Sequence, residues 1–201
     1  MAKQDITEAH PFPPFLPKDA KLLMLGTFPA KPVRWSMDFY YPNFINDMWR
    51  IMGEIFYCDK KRFESLSVSE KAKGRFDKLA IMDFCASKGI ALSDTAEEIS
   101  RLKGNASDQF LKIVKSKDIA SLLDVLPDCR AIAATGTKAS SVLSEKYGSG
   151  LPEIGGKLPI TIGDRTLSFF RMPSTSRAYP LSFEKKADYY RNMFLEAGLL
   201  P

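Results

Sequence analysis

The sequence predicts an α/β protein: a three-layer α/β/α sandwich around a central, mainly parallel four-stranded sheet. Four short apolar runs each end in a glycine, an aspartate or a proline-serine segment, as buried parallel strands do where they deliver loops. Segments with apolar residues at helical spacing lie between these runs, and such alternation is typical of layered α/β domains. We treat residues 1–201 as a single domain.

The predicted strands follow an extended N-terminal lead-in, residues 1–20, in which the prolines of residues 10–17 exclude regular structure. The strands are residues 21–25, 79–82, 131–134 and 167–170. Ligands of open α/β sheets bind in the crevice outside the carboxyl ends of the strands. We therefore expect the site among the residues that follow these four runs.

The predicted helices are residues 47–56, 119–126, 137–147 and 183–197. Ser182 is a favourable N-cap for the last of them, and Gly198 is a favourable stop. Two polar or glycine-rich segments, residues 59–78 and 148–163, are predicted to be surface insertions or loops.

The composition excludes several kinds of site. His10 is the only histidine and lies near an end that we expect to be mobile. The chain therefore lacks the side chains for histidine-based catalysis or metal binding. Cys58, Cys85 and Cys129 are far apart, which favours reduced thiols over a disulfide framework or a four-thiolate cluster. We predict no metal, no iron–sulphur cluster and no cofactor.

The charge pattern indicates a soluble protein with a polyanionic partner. No apolar run is long enough to span a bilayer and the first ten residues are charged, so we expect a cytoplasmic protein without a membrane partner. The net charge of +5 favours phosphate binding, although a charge of this size also serves solubility.

The first candidate constellation is the loop after the first strand, with the aromatic residues beyond it. A glycine at a strand end lets backbone approach a ligand, and aromatic rings offer faces on which a planar base could stack. The alternative is that these aromatics are core residues. The loop residues are Gly26, Thr27, Phe28, Pro29 and Ala30, and the aromatics are Trp35, Phe39, Tyr40, Tyr41 and Trp49.

Asn46 has two interpretations. It lies at a helix start, where asparagine is a favoured N-cap, and its amide could also position a water or bind a base edge. Both roles can hold together.

Two further strand ends are candidates. After the last strand, hydroxyls, backbone amides and arginine charge could bind phosphate oxygens, or the segment could simply cap the final helix. This segment contains Pro173, Ser174, Thr175, Ser176 and Arg177. Gly136 ends another strand, but without GxGxxG or GK[ST] a structural turn is the better interpretation.

Taken in order, these segments resemble the uracil-DNA glycosylase superfamily, most closely its hypoxanthine-DNA glycosylase and mismatch-specific uracil-DNA glycosylase branches. The resemblance covers most of the chain from Lys21 to Ala197 and rests on the joint order and spacing of its motifs. The matching elements are the loop from Gly26 to Ala30, the pair Tyr40 and Tyr41, Asn46 with Trp49, and Pro173 with Ser174 and Ser176. Residues 79–108, including Asp83, fall where the family places a second crevice strand and its loop.

The resemblance implies a monomeric, monofunctional glycosylase that extrudes a deaminated base, uracil or hypoxanthine, from double- or single-stranded DNA and hydrolyses its N-glycosidic bond. It implies that Asn46 orients the attacking water and that Tyr41 stacks on the base. Gly26, Thr27, Phe28, Pro29 and Asp83 would line the base site, and Pro173, Ser174, Thr175, Ser176 and Arg177 would grip DNA.

The chain departs from the family at two polar positions. Phe28 stands where other branches carry aspartate or asparagine, and Met172 stands where some carry histidine. These departures favour an alternative, a glycosylase-like protein that binds DNA or nucleotides with little or no catalysis. A further alternative is a small-molecule hydrolase that uses Asn46 and Asp83.

Overall fold

The computed structural model describes residues 7–65, 75–101 and 111–201. Within these ranges the strands are β1 Thr7–Ala9, β2 Leu22–Gly26, β3 Glu64–Ser65, β4 Arg75–Phe76, β5 Ile90–Asp94, β6 Ala96–Arg101, β7 Leu111–Ser116, β8 Ala131–Thr135, β9 Lys157–Ile162 and β10 Arg165–Met172. The helices are α1 Met48–Tyr57, α2 Lys78–Lys88, α3 Ile119–Asp124, α4 Thr137–Tyr147 and α5 Phe183–Glu196, and a short 3-10 helix spans Pro32–Arg34.

A five-stranded sheet in the order β5-β2-β8-β10-β9 forms the central layer. The first four strands are parallel, and β9 pairs antiparallel with β10 at one edge. Every residue of β2, β5 and β8 is buried, as expected for strands covered on both faces. The four parallel strands bring their carboxyl ends to one edge of the sheet.

Helices cover both faces of this sheet, which confirms the predicted three-layer architecture. Alternate residues of β2 point to opposite faces. Leu22 and Met24 pack in a cluster with residues of α1, α2 and α5. Leu23 and Leu25 pack in a second cluster with residues of α3 and α4. The predicted N-cap of α5 is also confirmed, because the Ser182 side chain accepts a hydrogen bond from Lys185 N.

The predicted strand over residues 79–82 is wrong. These residues belong to α2, where the Asp77 carboxylate accepts a hydrogen bond from Ala80 N and caps the helix. The crevice strand on this side of the sheet is β5, which begins after Gly89, a left-handed residue with φ +68°. A four-residue apolar run is compatible with one turn of a helix as well as with a strand. Here the N-cap at Asp77 favours the helix.

Two segments predicted as loops contain strands. Residues 148–163 include β9, the fifth strand of the sheet. Residues 59–78 include β3 and β4, which pair with each other and place Phe63 and Phe76 in the core. The middle of that segment lies outside the described residues.

A second sheet, in the order β1-β6-β7, includes part of the N-terminal lead-in. β1 pairs antiparallel with β6, and Phe15 forms an antiparallel bridge with Leu92 of β5. The lead-in is therefore extended, as predicted, but it is also paired to the rest of the fold. Among the described residues, no helix has both the length and the apolar character needed to cross a membrane.

Candidate functional site

An open crevice of about 1520 Å³ lies at the carboxyl ends of the parallel strands. β2 contributes Gly26 and the loop after it, β5 contributes Asp94, and β8 contributes Thr135. Ser174, Thr175 and Ser176, which follow β10, close the crevice from the other side. This is the position expected for ligands of an open α/β sheet.

Position 26 needs a glycine because the side chain of Asp94 approaches its backbone closely. A Cβ atom at this position would lie 2.4 Å from Asp94 Oδ1, well inside van der Waals contact. The sequence predicted that backbone at Gly26 would approach a ligand. The structure shows that the Asp94 carboxylate of the neighbouring strand occupies this space.

The remaining residues of the first loop line the crevice in different ways. Thr27 is 4% exposed, and its hydroxyl has no hydrogen-bond partner among the described residues. Phe28 is packed with Ala96, Ile99 and Leu111. The Pro29 carbonyl accepts a hydrogen bond of 3.0 Å from Arg101 Nη2, which ties the loop to β6.

Tyr41 adopts a left-handed backbone with φ +50°, which costs a non-glycine residue on the order of 1–3 kcal/mol. Thr135 Oγ1 donates to the Leu25 carbonyl at 3.3 Å, so the Tyr41 hydroxyl donates to Thr135 Oγ1 at 2.9 Å. Tyr41 is half-buried and lines the crevice. The surrounding fold holds its ring in place despite the backbone cost.

Three of the other aromatics match the core interpretation. Phe39, Tyr40 and Trp49 are at most 6% exposed and belong to the core. Burial raises the pKa of the Tyr40 hydroxyl above its usual value, and the negative charge of Asp94 adds to the shift. Burial likewise raises the pKa of Tyr190, with a smaller contribution from Tyr41. Both phenols therefore stay neutral near neutral pH.

Asn46 precedes Asp47, the N-cap of α1, and lies in the crevice. Its Oδ1 accepts a hydrogen bond of 2.9 Å from Met48 N, while Asp47 makes no side-chain cap bond. Asn46 is half-buried and lines the crevice, and it forms a β-bridge with Ser176. The N-cap position itself belongs to Asp47, so Asn46 supports the helix start through its bond to Met48 N, and its place in the crevice is compatible with the second role.

The segment from Pro173 to Arg177, called the serine loop below, is organised by its own side chains and by α5. Ser174 Oγ accepts from Ser176 N at 3.2 Å, and Ser176 Oγ accepts from Ala178 N at 3.3 Å. The Pro173 carbonyl accepts from the buried Tyr190 hydroxyl at 2.9 Å. The loop is therefore fixed in shape before any ligand binds.

A charged network joins the serine loop to the start of α1. Asp47 is 5% exposed, and its carboxylate pairs with Arg177 Nε at 2.8 Å and with Lys186 Nζ at 3.6 Å. Lys186 Nζ also donates to the Ser176 carbonyl at 2.8 Å. Asp47 N donates to the Thr175 carbonyl at 3.0 Å. These bonds hold Asn46 against the serine loop.

The charged residues that line the crevice are mostly basic. Arg34, Lys112, Lys138 and Lys146 are cationic, whereas Asp94 and Glu145 are acidic. Lys138 and Lys146 donate to the carbonyls of Leu111 and Lys117, which places their ammonium groups beside β7. The rim therefore offers charge to an anionic ligand.

Sequence reasoning missed the pair formed by His10 and Asp94. His10 Nε2 lies 2.7 Å from Asp94 Oδ2, and the two side chains are 2% and 8% exposed. The expectation of a mobile His10 is wrong, because β1 fixes the segment that carries it. The apolar residues 90–92, followed by Ser93 and Asp94, were the available signal for this strand end.

Asp83 does not belong to the site. It lies on the exposed side of α2 and is not among the residues that line the crevice. The predicted role of Asp83 in substrate binding and the alternative of a hydrolase that pairs it with Asn46 both depended on the incorrect strand. Asp94 holds the position that was predicted for Asp83.

No protein-family model matches the chain, and no curated protein matches it. Among solved structures, the solution NMR structure of a protein from Methanosarcina acetivorans, provisionally identified as a uracil DNA glycosylase, is similar with a TM-score of 0.64. The two chains are 19% identical, and the match covers 96% of this chain and 99% of the other. The chain therefore shares its fold with that protein over nearly its whole length.

Proposed function

We propose that this chain is a monofunctional DNA glycosylase, which hydrolyses the N-glycosidic bond of an extruded deaminated base, uracil or hypoxanthine. One observation carries the proposal: Tyr41, Asn46 and the middle of the serine loop, residues 174–176, lie far apart in the sequence and line one crevice at the carboxyl edge of the sheet. A base, its sugar and the adjoining phosphates need these three kinds of contact together.

Tyr41 provides the stacking surface. Its ring is held by the hydroxyl bond to Thr135 and by edge-on contact with Trp49, at 6.1 Å between ring centroids. Stacking of a base on an aromatic ring contributes about 1–3 kcal/mol, which offsets part of the cost of unstacking it from DNA. That cost is lowest at mismatched pairs, which adds selectivity for a deaminated base.

Asn46 positions the attacking water. Its Oδ1 is fixed by Met48 N and keeps a second lone pair that can accept a hydrogen from water. The water oxygen forms a bond to the sugar C1′ while the C1′–N bond breaks, and the base leaves with the bonding electrons. One water proton stays on the new C1′ hydroxyl and the other passes to the base or to solvent, giving a free base and an abasic site. An amide is a weak base, so the rate depends on positioning and on electrostatic stabilisation.

The serine loop and the basic rim would hold the DNA backbone. Ser174 and Ser176 present hydroxyls in the crevice, and Lys112 and Arg34 add positive charge at its edge. The Arg177 side chain is 52% exposed while its Nε is paired with Asp47, so its terminal nitrogens remain available for a phosphate. The fold shared with a protein provisionally identified as a uracil DNA glycosylase supports the choice of DNA as substrate.

Two apolar side chains favour a second candidate function, binding of DNA without catalysis. Phe28 is 9% exposed and Met172 is 1% exposed, and neither offers a polar group to the crevice. Under this alternative Asn46 only supports the start of α1.

A strand-cleavage assay separates the two functions. The protein is incubated with labelled duplexes that carry uracil, hypoxanthine or xanthine, and alkali then cleaves any abasic sites. A glycosylase gives cleavage at the lesion in at least one duplex. Intact DNA after incubation, combined with duplex binding that weakens steeply with salt, would instead establish the binding function.

A further inference from the structure

Arg50 reaches back from the first turn of α1 to the segment that carries Asn46. Its Nη1 donates to the Phe44 carbonyl at 2.6 Å and to the Asn46 carbonyl at 3.3 Å. The Arg50 side chain is only 12% exposed. A charged group so far withdrawn from water needs hydrogen bonds and an opposite charge.

The pair of strands β3 and β4 supplies the opposite charge. Glu64 Oε1 lies 2.6 Å from Arg50 Nη2, and the guanidinium carbon lies 5.2 Å from the centre of the Phe76 ring. Glu64 and Phe76 are register partners, so their side chains lie on the same side of the strand pair. The segment that the sequence predicted to be a surface insertion is thus joined, through Arg50, to the helix that follows Asn46.

Phe44 is held by Arg50 through its ring as well as through its carbonyl. The guanidinium carbon lies 4.4 Å from the centre of the Phe44 ring, and the rings of Phe44 and Phe76 are 4.9 Å apart. A planar guanidinium can lie on an aromatic ring and still donate hydrogen bonds at its edges, whereas a lysine ammonium is a point charge. The contacts at this position therefore need an arginine.

Asn46 is attached at several of its atoms. Its N–H donates to the Asn43 carbonyl at 2.8 Å, its Oδ1 accepts from Met48 N at 2.9 Å, and its carbonyl accepts from Arg50. A group that places an attacking water loses much of its effect when it is displaced by a fraction of an ångström. The bond from Arg50 restrains the backbone that carries this amide.

We propose that Arg50 is a positioning residue for the hydrolysis: by holding the carbonyls of Phe44 and Asn46, it determines where Asn46 Oδ1 places the attacking water. This inference rests on the proposed function. Arg50 is not among the described residues that line the crevice, so it acts through Asn46 and not on the substrate. A change at Arg50 should therefore slow the reaction and leave DNA binding as it is.

Arg50→Lys keeps the charge and removes the fork of donors. Single-turnover release of the deaminated base by this variant is expected to be at least about tenfold slower than by wild type, with unchanged affinity for the lesion duplex. Arg62→Lys is the matched control, because Arg62 stacks on Tyr57 at 4.8 Å and is not among the described residues that line the crevice. It should match wild type. Release at the wild-type rate by Arg50→Lys would overturn the proposal.

A double variant separates positioning of Asn46 from general support of the fold. Once Asn46 is replaced by alanine, Arg50 has no amide to position. Arg50→Lys is therefore expected to change the rate of Asn46→Ala by less than about twofold. The same fold loss in both backgrounds would show that Arg50 acts independently of Asn46, and would overturn the proposal.

Hydrogen exchange at the Met48 amide reports on Asn46 without any hydrolysis. Amides in the first turn of a helix have no partner within the helix, so protection of Met48 N–H depends on its bond to Asn46 Oδ1. NMR of the full chain is expected to show exchange at least about tenfold faster at Met48 in Arg50→Lys, and unchanged exchange in Arg62→Lys. Unchanged protection of Met48 in Arg50→Lys would overturn the proposal.

The two proposals can fail separately. Faster exchange at Met48 in Arg50→Lys, together with lesion duplexes that wild type leaves intact, would overturn the glycosylase function but keep the hold of Arg50 on Asn46. Cleavage by wild type and by Arg50→Lys at one rate would keep the glycosylase and overturn the positioning role. Circular dichroism shows whether Arg50→Lys is folded. If it is not, Glu64→Gln replaces it, and a wild-type rate with wild-type exchange at Met48 would then overturn the proposal.

Discussion

Single residues determine the shape of the crevice floor. Gly26 has no side chain where Asp94 Oδ1 approaches, and Tyr41 keeps a left-handed backbone that other residues of its type rarely adopt. Asn46 was singled out from the sequence by the family resemblance, and the structure places it in the crevice. His10 was not, because burial of a side chain near the N-terminus depends on strand pairing that no local pattern reveals.

Gly26→Ala should destabilise the fold and disturb the crevice. The added methyl would overlap Asp94 Oδ1, and neither β2 nor β5 can shift easily because both are fully buried. We expect a loss of about 1–3 kcal/mol in the free energy of unfolding, measured by urea denaturation.

Gly150→Ala is the matched control. Its methyl meets only the end of the Leu158 side chain, which is 40% exposed and can turn away. It should change the stability by less than about 0.5 kcal/mol. Equal stability of the two variants would show that the close approach at Gly26 carries no cost.

At the scale of elements, α5 connects the two halves of the site. Its buried Lys186 reaches both the Ser176 carbonyl and the Asp47 carboxylate, and so links the serine loop to the start of α1. Neither contact can be predicted from helical periodicity, which places Lys186 on α5 but gives no reason to bury it. A buried ammonium is tolerated here because it has an acceptor and an opposite charge.

Lys186→Met should destabilise the protein by about 3 kcal/mol, because it removes one partner of a buried ion pair and leaves the Ser176 carbonyl without its donor. Urea denaturation measures the change. Lys185→Met, at the exposed neighbouring position, should stay within about 0.5 kcal/mol of wild type. If the two variants have the same free energy of unfolding, the contacts of Lys186 with Asp47 and Ser176 do not stabilise the fold.

The elements that the sequence missed have identifiable physical causes. The apolar run in α2 is too short to separate helix from strand, and its cap at Asp77 was overlooked. β9 contains Pro159, which is accommodated because β9 is an edge strand. β6 and β7 carry polar residues on their exposed sides and lack the continuous apolar run of a central strand. The fully buried β2 and β8 were predicted with nearly correct bounds.

For the molecule as a whole, the three-layer core was predictable and the crevice only in part. Strands that are buried on both faces need continuous apolar runs, and short runs of this kind are visible in the sequence. The crevice instead depends on which strand ends become neighbours, and that order placed Asp94, not Asp83, beside Gly26. The net charge of +5 becomes informative once four cations are seen to line the crevice.

The proposed hydrolysis of the N-glycosidic bond through Asn46 is tested by single-turnover release of a deaminated base. Each protein is mixed in excess with the lesion duplex that the wild type cleaves. The proteins are wild type, Asn46→Ala and Asn192→Ala, the last a matched change on the exposed side of α5. We expect Asn46→Ala to release base at least about 100-fold more slowly, with unchanged DNA affinity, and Asn192→Ala to match wild type. Release at the wild-type rate by a folded Asn46→Ala protein would show that Asn46 does not position the attacking water.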